Sequence, residues 1–152
     1  MSVIGVISDT HRLLRPSAVA ALRGCAAIVH AGDIGRPEVL EGLRALAPVT
    51  AVRGNVDLDW AHDLPDRAEI TIAGRRCYVL HSLKDLQLDP REAGFAVVIS
   101  GHSHVPKIEQ REGVLYLNPG SSGPRRFRLP IAVARIEICR GSIEARIVEL
   151  AG

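Results

Sequence analysis

Short apolar runs alternate with amphipathic stretches through the first half of the chain. Val3-Ile4-Gly5-Val6-Ile7 is apolar throughout and predicts a buried strand. Arg15 to Arg23 reads as a helix, with Pro16 suited to the first turn and Gly24 to the stop. Ala26 to His30 predicts a second strand. Pro37 to Leu46 predicts a second helix, with Val39, Leu40, Leu43 and Leu46 on one stripe. Val49 to Val52 predicts a third strand. Strand, helix, strand, helix, strand is the pattern of parallel pairing with right-handed crossovers. Loops that follow such strands open at one edge of the sheet, and ligands bind there.

The second half reads differently. Leu58 to Arg67 is a polar, Pro-containing loop with Trp60, either an anchor for the loop or a wall of the cleft. Glu69 to Ile72 and Arg75 to Leu80 predict a hairpin turning at Ala73-Gly74. Asp89 is placed to cap a short helix opened by Pro90, and Ala96 to Ile99 predicts another buried strand. Lys107 to Gln110, Val114 to Leu117, Ile131 to Ile138 and Ser142 to Val148 then predict a mostly antiparallel meander with turns at Gly113 and Gly141.

Bulk composition narrows the classes. At 152 residues the chain favours a single domain, 1–152, with one sizeable core. A net charge of only +2 argues against a dedicated nucleic-acid binder. No apolar run approaches the roughly 20 residues of a membrane helix, and no basic segment precedes the first strand, so neither a membrane partner nor a signal peptide is expected. Cys25, Cys77 and Cys139 are scattered and odd in number. They predict neither a disulfide framework nor a thiolate metal site, and point to a reducing, cytoplasmic setting. An exposed edge strand in the meander leaves room for a homo-oligomer.

The chemistry lies at the strand ends. Asp9 and His11 follow the first strand, Asp33 the second and Asn55 the third; His81 ends the hairpin; His102 and His104 follow Ile99. Singly, these have plain alternatives: Asp9 could cap a turn, Asp33 could cap the helix that starts near Pro37, and His11 could be solvated. His30 lies on a strand itself, where a core or supporting role is favoured over ligation. Together, seven oxygen and nitrogen donors exceed the needs of one ion. They suit two ions sharing a carboxylate, spaced roughly 3.5–4 Å apart. Such a mixed set suits Mn(II), Fe(II), Zn(II) or Ni(II) and excludes none of these; Mn(II) is the first expectation, with Co(II) also open. The stretch Asn118-Pro119-Gly120-Ser121-Ser122-Gly123 offers backbone N–H groups to an anion, and Arg125, Arg126 and Arg128 could hold a phosphate or form a solvated basic turn.

Asp9-x-His11, Gly32-Asp33, Gly54-Asn55, strand-terminal His81 and Gly101-His102-x-His104, in that order, resemble the calcineurin-like metallophosphoesterase superfamily. Asn118-Pro119-Gly120-Ser121 and the Gly-Asn-x-Asp form of the third motif are similar to its small prokaryotic phosphodiesterase branch. The resemblance implies an α/β fold, a four-layer α/β/β/α sandwich of two mixed sheets flanked by helices, with a dinuclear site at the strand C-terminal edge. It implies that Asp9, His11, Asp33 and His104 hold one ion, and Asp33, Asn55, His81 and His102 the other. Catalysis would rest on Asp9, Asp33, Asn55 and His102, and substrate contacts on Asn55 and Arg125. The implied reaction is in-line attack on a small phosphate ester by a hydroxide bridging the ions. Two positions depart from the family. Val56 stands where many members carry a proton-donating His, which predicts slow turnover of alkyl esters and faster turnover of aryl or nucleotide esters. Ser82 follows His81 where Gly is usual, so that loop is expected to sit differently. Two other readings stay open: a phosphomonoesterase or nucleotidase, and a protein-binding scaffold like the retromer subunit that shares this architecture.

Overall fold

Period-two alternation decides which way each strand faces. In β1 (Ser2–Ile7), Ile4 and Val6 join one apolar cluster while Ile7 joins another on the opposite side. The computed structural model describes residues 2–140 and 142–151. After β1 come α1 (Pro16–Leu22), β2 (Ala27–His30), α2 (Pro37–Arg44) and β3 (Val49–Ala51). Proline opens each helix where its missing N–H costs nothing. Ala18 and Leu22 of α1, and Val39, Leu40 and Leu43 of α2, are buried against Ile7, Ile28 and Ala51. Fully buried Leu22 and Leu43 each contribute roughly 1.5–3 kcal/mol.

The remaining elements are β4 (Arg67–Ile72), β5 (Arg75–Leu80), β6 (Phe95–Ile99), β7 (Lys107–Arg111), β8 (Val114–Asn118), β9 (Ala132–Cys139) and β10 (Ser142–Glu149). They complete two five-stranded mixed sheets, ordered β10-β9-β1-β2-β3 and β4-β5-β6-β8-β7. The sheets pack face to face. Ile4, Val6, Val29, Ile136 and Ile138 of the first meet Val79, Val97, Ile99, Leu115 and Leu117 of the second. The helices cover the outer face of the first sheet. Across the outer face of the second, Tyr78, Leu80, Phe95 and Val98 lie under Leu86, Leu88 and Ala93 of the β5–β6 connection.

Two expectations are corrected. The last four strands do not form a meander. β7 and β8 pair antiparallel in the second sheet, with β8 parallel to β6, whereas β9 and β10 pair antiparallel in the first, with β9 antiparallel to β1. Ala134, Ile136 and Ile138 of β9 pack with Ile4 and Val6 of β1 on the inner face, and Val133 lies under the helices beside the half-buried Arg135 and Glu137, so β9 takes an interior place beside β1. Asp89 starts only one helical turn. Its side chain accepts the Arg91 N–H at 3.0 Å, but Gly94 at φ +85 ends the turn and β6 begins. The short helix of this connection lies earlier, as a 3-10 turn over Leu83–Asp85.

The topology positions the site. β1, β2 and β3 run parallel in one sheet, and β5, β6 and β8 in the other. The loops after them are bonded to one another, within each sheet and, through Ser122, across the sandwich. Ala31 donates its N–H to the Ile7 carbonyl, Gly101 to that of His81, and Ser122 to that of Ser8.

Candidate metal centre

The seven strand-end residues arrive on tight, mutually bonded loops. Asp9 N–H donates to the Gly32 carbonyl at 2.9 Å, His11 N–H to that of Asp33 at 3.0 Å, and Arg12 N–H to that of Ile34 at 2.8 Å. Asp9, His11, Asp33, His102 and His104 all have positive φ, between 45° and 72°. Each such L-residue is strained by roughly 1–3 kcal/mol, and strain of this kind is characteristic of functional sites. Two glycines allow the loops to close. A Cβ on Gly54 would strike Asp33, and one on Gly101 would strike the side chains of Ser8 and Asp9.

Six of the seven side chains meet in two groups, Asp9 with His11 and His104, and Asp33 with His81 and His102; within each, one donor atom per residue lies within 4.8 Å of the others. His104 Nε2 stands 3.3 Å from Asp9 Oδ1, and His81 Nε2 stands 3.2 Å from Asp33 Oδ2 and 3.3 Å from His102 Nδ1. His11 Nε2 lies between the groups, 3.8 Å from Asp9 Oδ1 and 3.7 Å from Asp33 Oδ2. Asn55 is exposed and lines a polar cavity together with His81.

Donor chemistry tests whether cations fit here. Asp9 Oδ2 accepts from Ser8 Oγ at 2.7 Å and from His102 N–H at 3.1 Å. Its other oxygen, Oδ1, is buried without a hydrogen-bonding partner, as is His11 Nε2. His81 Nδ1–H donates to the Ala31 carbonyl at 2.8 Å, so a neutral His81 turns the lone pair of Nε2 toward Asp33 Oδ2. Lone pairs facing one another in a buried site need a positive charge between them. Carboxylate and imidazole donors in this ratio fit first-row divalent ions.

Electrostatics agree with ionised carboxylates. Burial pushes Asp9 up, but His104, His11 and the Ser8 hydroxyl outweigh it and hold it well below the usual carboxylate range. Burial likewise raises Asp33, but His81 and the Val56 N–H hold it down. Burial lowers His81, yet the carboxylates of Asp33 and Asp9 leave it raised.

Supporting groups fix the rest. Thr10 Oγ1 donates to the Ile34 carbonyl at 2.7 Å and so accepts from His30 Nε2–H at 3.1 Å; His30 Nδ1 accepts from Gly32 N–H at 3.1 Å. His30 is therefore one neutral tautomer, in the supporting role favoured for it, and burial lowers it to about 4. Asp57 was legible only as the last letter of Gly-Asn-x-Asp. It is fully buried and accepts the N–H groups of Ile34, Gly35 and Gly54 at 2.9–3.1 Å, tying the Asp33 loop to the Asn55 loop. Asn118 Nδ2 donates to the Gly101 carbonyl at 3.0 Å and steadies the His102–His104 loop. Only a carboxylate or amide at a loop corner hints at such roles in a sequence.

Three other expectations are revised or refined. The N–H groups of Gly120, Ser122 and Gly123 are taken by Asn118 Oδ1, the Ser8 carbonyl and Ser121 Oγ, so this stretch does not cradle an anion. Ser121 Oγ instead donates to the Asp9 carbonyl at 3.0 Å, and the Arg15 guanidinium holds the carbonyls of Ser122 and Gly123. Arg125, Arg126 and Arg128 are exposed. Trp60 packs into the cluster under the helices and anchors its loop. Ser82 has an extended backbone, φ −123 and ψ 131, which serine adopts without strain, and His81 keeps its bond to Ala31.

Comparison with known proteins gives the same outline. The chain is 36% identical over 148 residues to the probable metallophosphoesterase of Methanothermobacter thermautotrophicus, covering 89% of this chain and 86% of that protein. Its fold is similar to that of an archaeal phosphodiesterase, with a TM-score of 0.82 at 24% identity and coverage of 97% of this chain and 99% of that one. Vps29 of Chaetomium thermophilum shares the fold at a TM-score of 0.80 and 16% identity, covering 99% of this chain and 97% of that one. Residues 1–141 match the calcineurin-like phosphoesterase superfamily domain, and the chain belongs to that superfamily.

Proposed function

We propose that this phosphoesterase is a metal-dependent phosphodiesterase with a dinuclear centre. The reading rests on one observation above all: two carboxylate–imidazole groups face each other, with Asp9 Oδ1 and His11 Nε2 buried and unpartnered between them. Asp9, His11, Asp33 and His104 would hold one ion, and Asp33, Asn55, His81 and His102 the other. Such a pair of divalent cations, manganese first among them, acidifies water to a nucleophile near neutral pH and neutralises charge on phosphoryl oxygens. The chain's own groups do the rest. The Ser8 hydroxyl and the His102 N–H aim Asp9, the Val56 N–H aims Asp33, and the Ala31 carbonyl fixes His81. Asn55, with its amide at the cavity mouth, and Arg125, an exposed cation, would contact the phosphate. Val56 brings no transferable proton beside the site. The similar fold of an archaeal phosphodiesterase supports a diester as substrate, and three free cysteines suit a reducing cytoplasm.

A scaffold role is supported by the Vps29 fold alone, and an intact donor set gives a pure scaffold no advantage. Assay with manganese across a series of bis-aryl phosphates separates the readings. Metal-dependent hydrolysis is expected, rising as the departing phenol becomes more acidic. No turnover with Mn(II), Ni(II), Co(II), Fe(II) or Zn(II) would favour the scaffold.

A further inference from the structure

Beside His102 a cavity of about 370 Å³ opens on the second sheet, lined by Leu83, Lys84, Lys107, Tyr116 and Arg111. Its size lies in the roughly 300–1,000 Å³ range of small-ligand sites. Two apolar side chains on its rim are unusually exposed, Leu83 at 39% and Val105 at 44%, and each lies next to a ligand loop. Lys107, Glu109 and Arg111 alternate along one face of β7, which spans roughly 13 Å at about 3.3 Å per residue. The near end is at Lys107, just past the His104 loop. At the far end the Arg111 guanidinium lies over the Tyr116 ring, 4.7 Å from its centre. Three cations line the cavity against a single carboxylate, Glu109, which pairs with Lys107 and Arg111.

We propose that this cavity is a nucleoside subsite: one arm of the phosphodiester is a nucleoside whose base stacks at Arg111 and Tyr116 while its phosphate stays at the metal centre. The proposal rests on the phosphodiesterase reading above. A phenyl arm would fill only the near end of so long a groove, whereas ribose followed by a base spans it. Leu83 and Val105 give the apolar rim over which the sugar lies, and the surplus cations favour approach of the anionic phosphodiester that carries this neutral arm. Stacking of a base on such a platform does not depend on which base it is, so the subsite selects nucleosides as a class.

The test is calorimetric titration of the manganese-loaded protein. Inorganic phosphate is titrated first; absence of manganese-dependent phosphate binding would overturn the metal-centre reading on which the subsite stands. AMP and ribose 5-phosphate are then compared, since they differ only in the base. AMP is expected to bind at least about tenfold tighter, the value of one stacked base. In Arg111→Ala and Tyr116→Leu, which remove the two halves of the base platform, that preference should fall below about threefold, while the affinity for ribose 5-phosphate stays as in the wild type. Equal affinities for the two ligands in the wild type would overturn the subsite alone, as would a preference unchanged in both variants.

Discussion

At the scale of the residue, two features govern the site: strained backbone and a locked histidine. Asp9, His11, Asp33, His102 and His104 occupy left-handed conformations that asparagine or glycine would adopt more easily. They are over-determined by the bonds around them, which turns strain into fixed aim. His30 shows the opposite economy, a titratable group that the fold keeps neutral. Its folded value of about 4 lies below the ordinary 6.5, so the unfolded chain takes up a proton that the folded chain refuses. Its contribution is intact above pH 6.5 and is lost as pH falls through 6.5 toward 4, at about 1.4 kcal/mol per unit. Urea unfolding with chelator present, from pH 7 to 5, should lose about 2 kcal/mol more in the wild type than in His30→Asn. Parallel curves would show that His30 is not held neutral. The raised His81 acts in the reverse sense but is common to both proteins.

At the scale of the element, the loops after β1, β2, β3, β5 and β6 act as one body because buried side chains stitch them. Asp57 is the strongest stitch, since three N–H groups from two loops end on one carboxylate. Asp57→Ala leaves these donors without an acceptor and should lower stability by about 3 kcal/mol or more. Asp57→Asn, which keeps one oxygen, should lose less. Manganese affinity should fall with Asp57→Ala as well, because Asn55 and Asp33 lose their common tether. A stability within about 0.5 kcal/mol of the wild type, measured by denaturant unfolding, would show that the loops hold without it. The helices and most strands were legible from alternation and proline placement. Asp57, Thr10 and Asn118 were not, because they reach backbone atoms 17 to 24 residues away, and nothing local marks that.

For the whole molecule, the two parallel triplets of strands set the geometry. Both triplets end at a shared edge, where the first sheet supplies Asp9, His11 and Asp33 and the second supplies His81, His102 and His104, and each donor group draws on both sheets. A ligand that binds only this assembled edge must stabilise the whole fold. With free manganese 100-fold above its dissociation constant, linkage adds about 2.7 kcal/mol, or roughly 5–10 °C in melting temperature for a chain of this size. Chelator should reverse the shift. A melting temperature indifferent to manganese, and to the other divalent ions, would argue that the donors do not gather around a cation.

The sequence by itself determined the strands of the first half, the two helices and the residue types at every strand end, because hydrophobic period and proline and glycine positions are local properties. It also determined which residues could serve as donors. Only the tertiary structure decided that β8 joins β6 while β9 crosses to β1, because the apolar face of a strand is satisfied by any interior place and the choice belongs to packing. Only the tertiary structure decided that His30 is a neutral prop and that Gly120 to Gly123 brace Asp9 rather than bind an anion. A hydrogen bond is spent once, and which partner receives it is fixed by where the rest of the chain comes to lie.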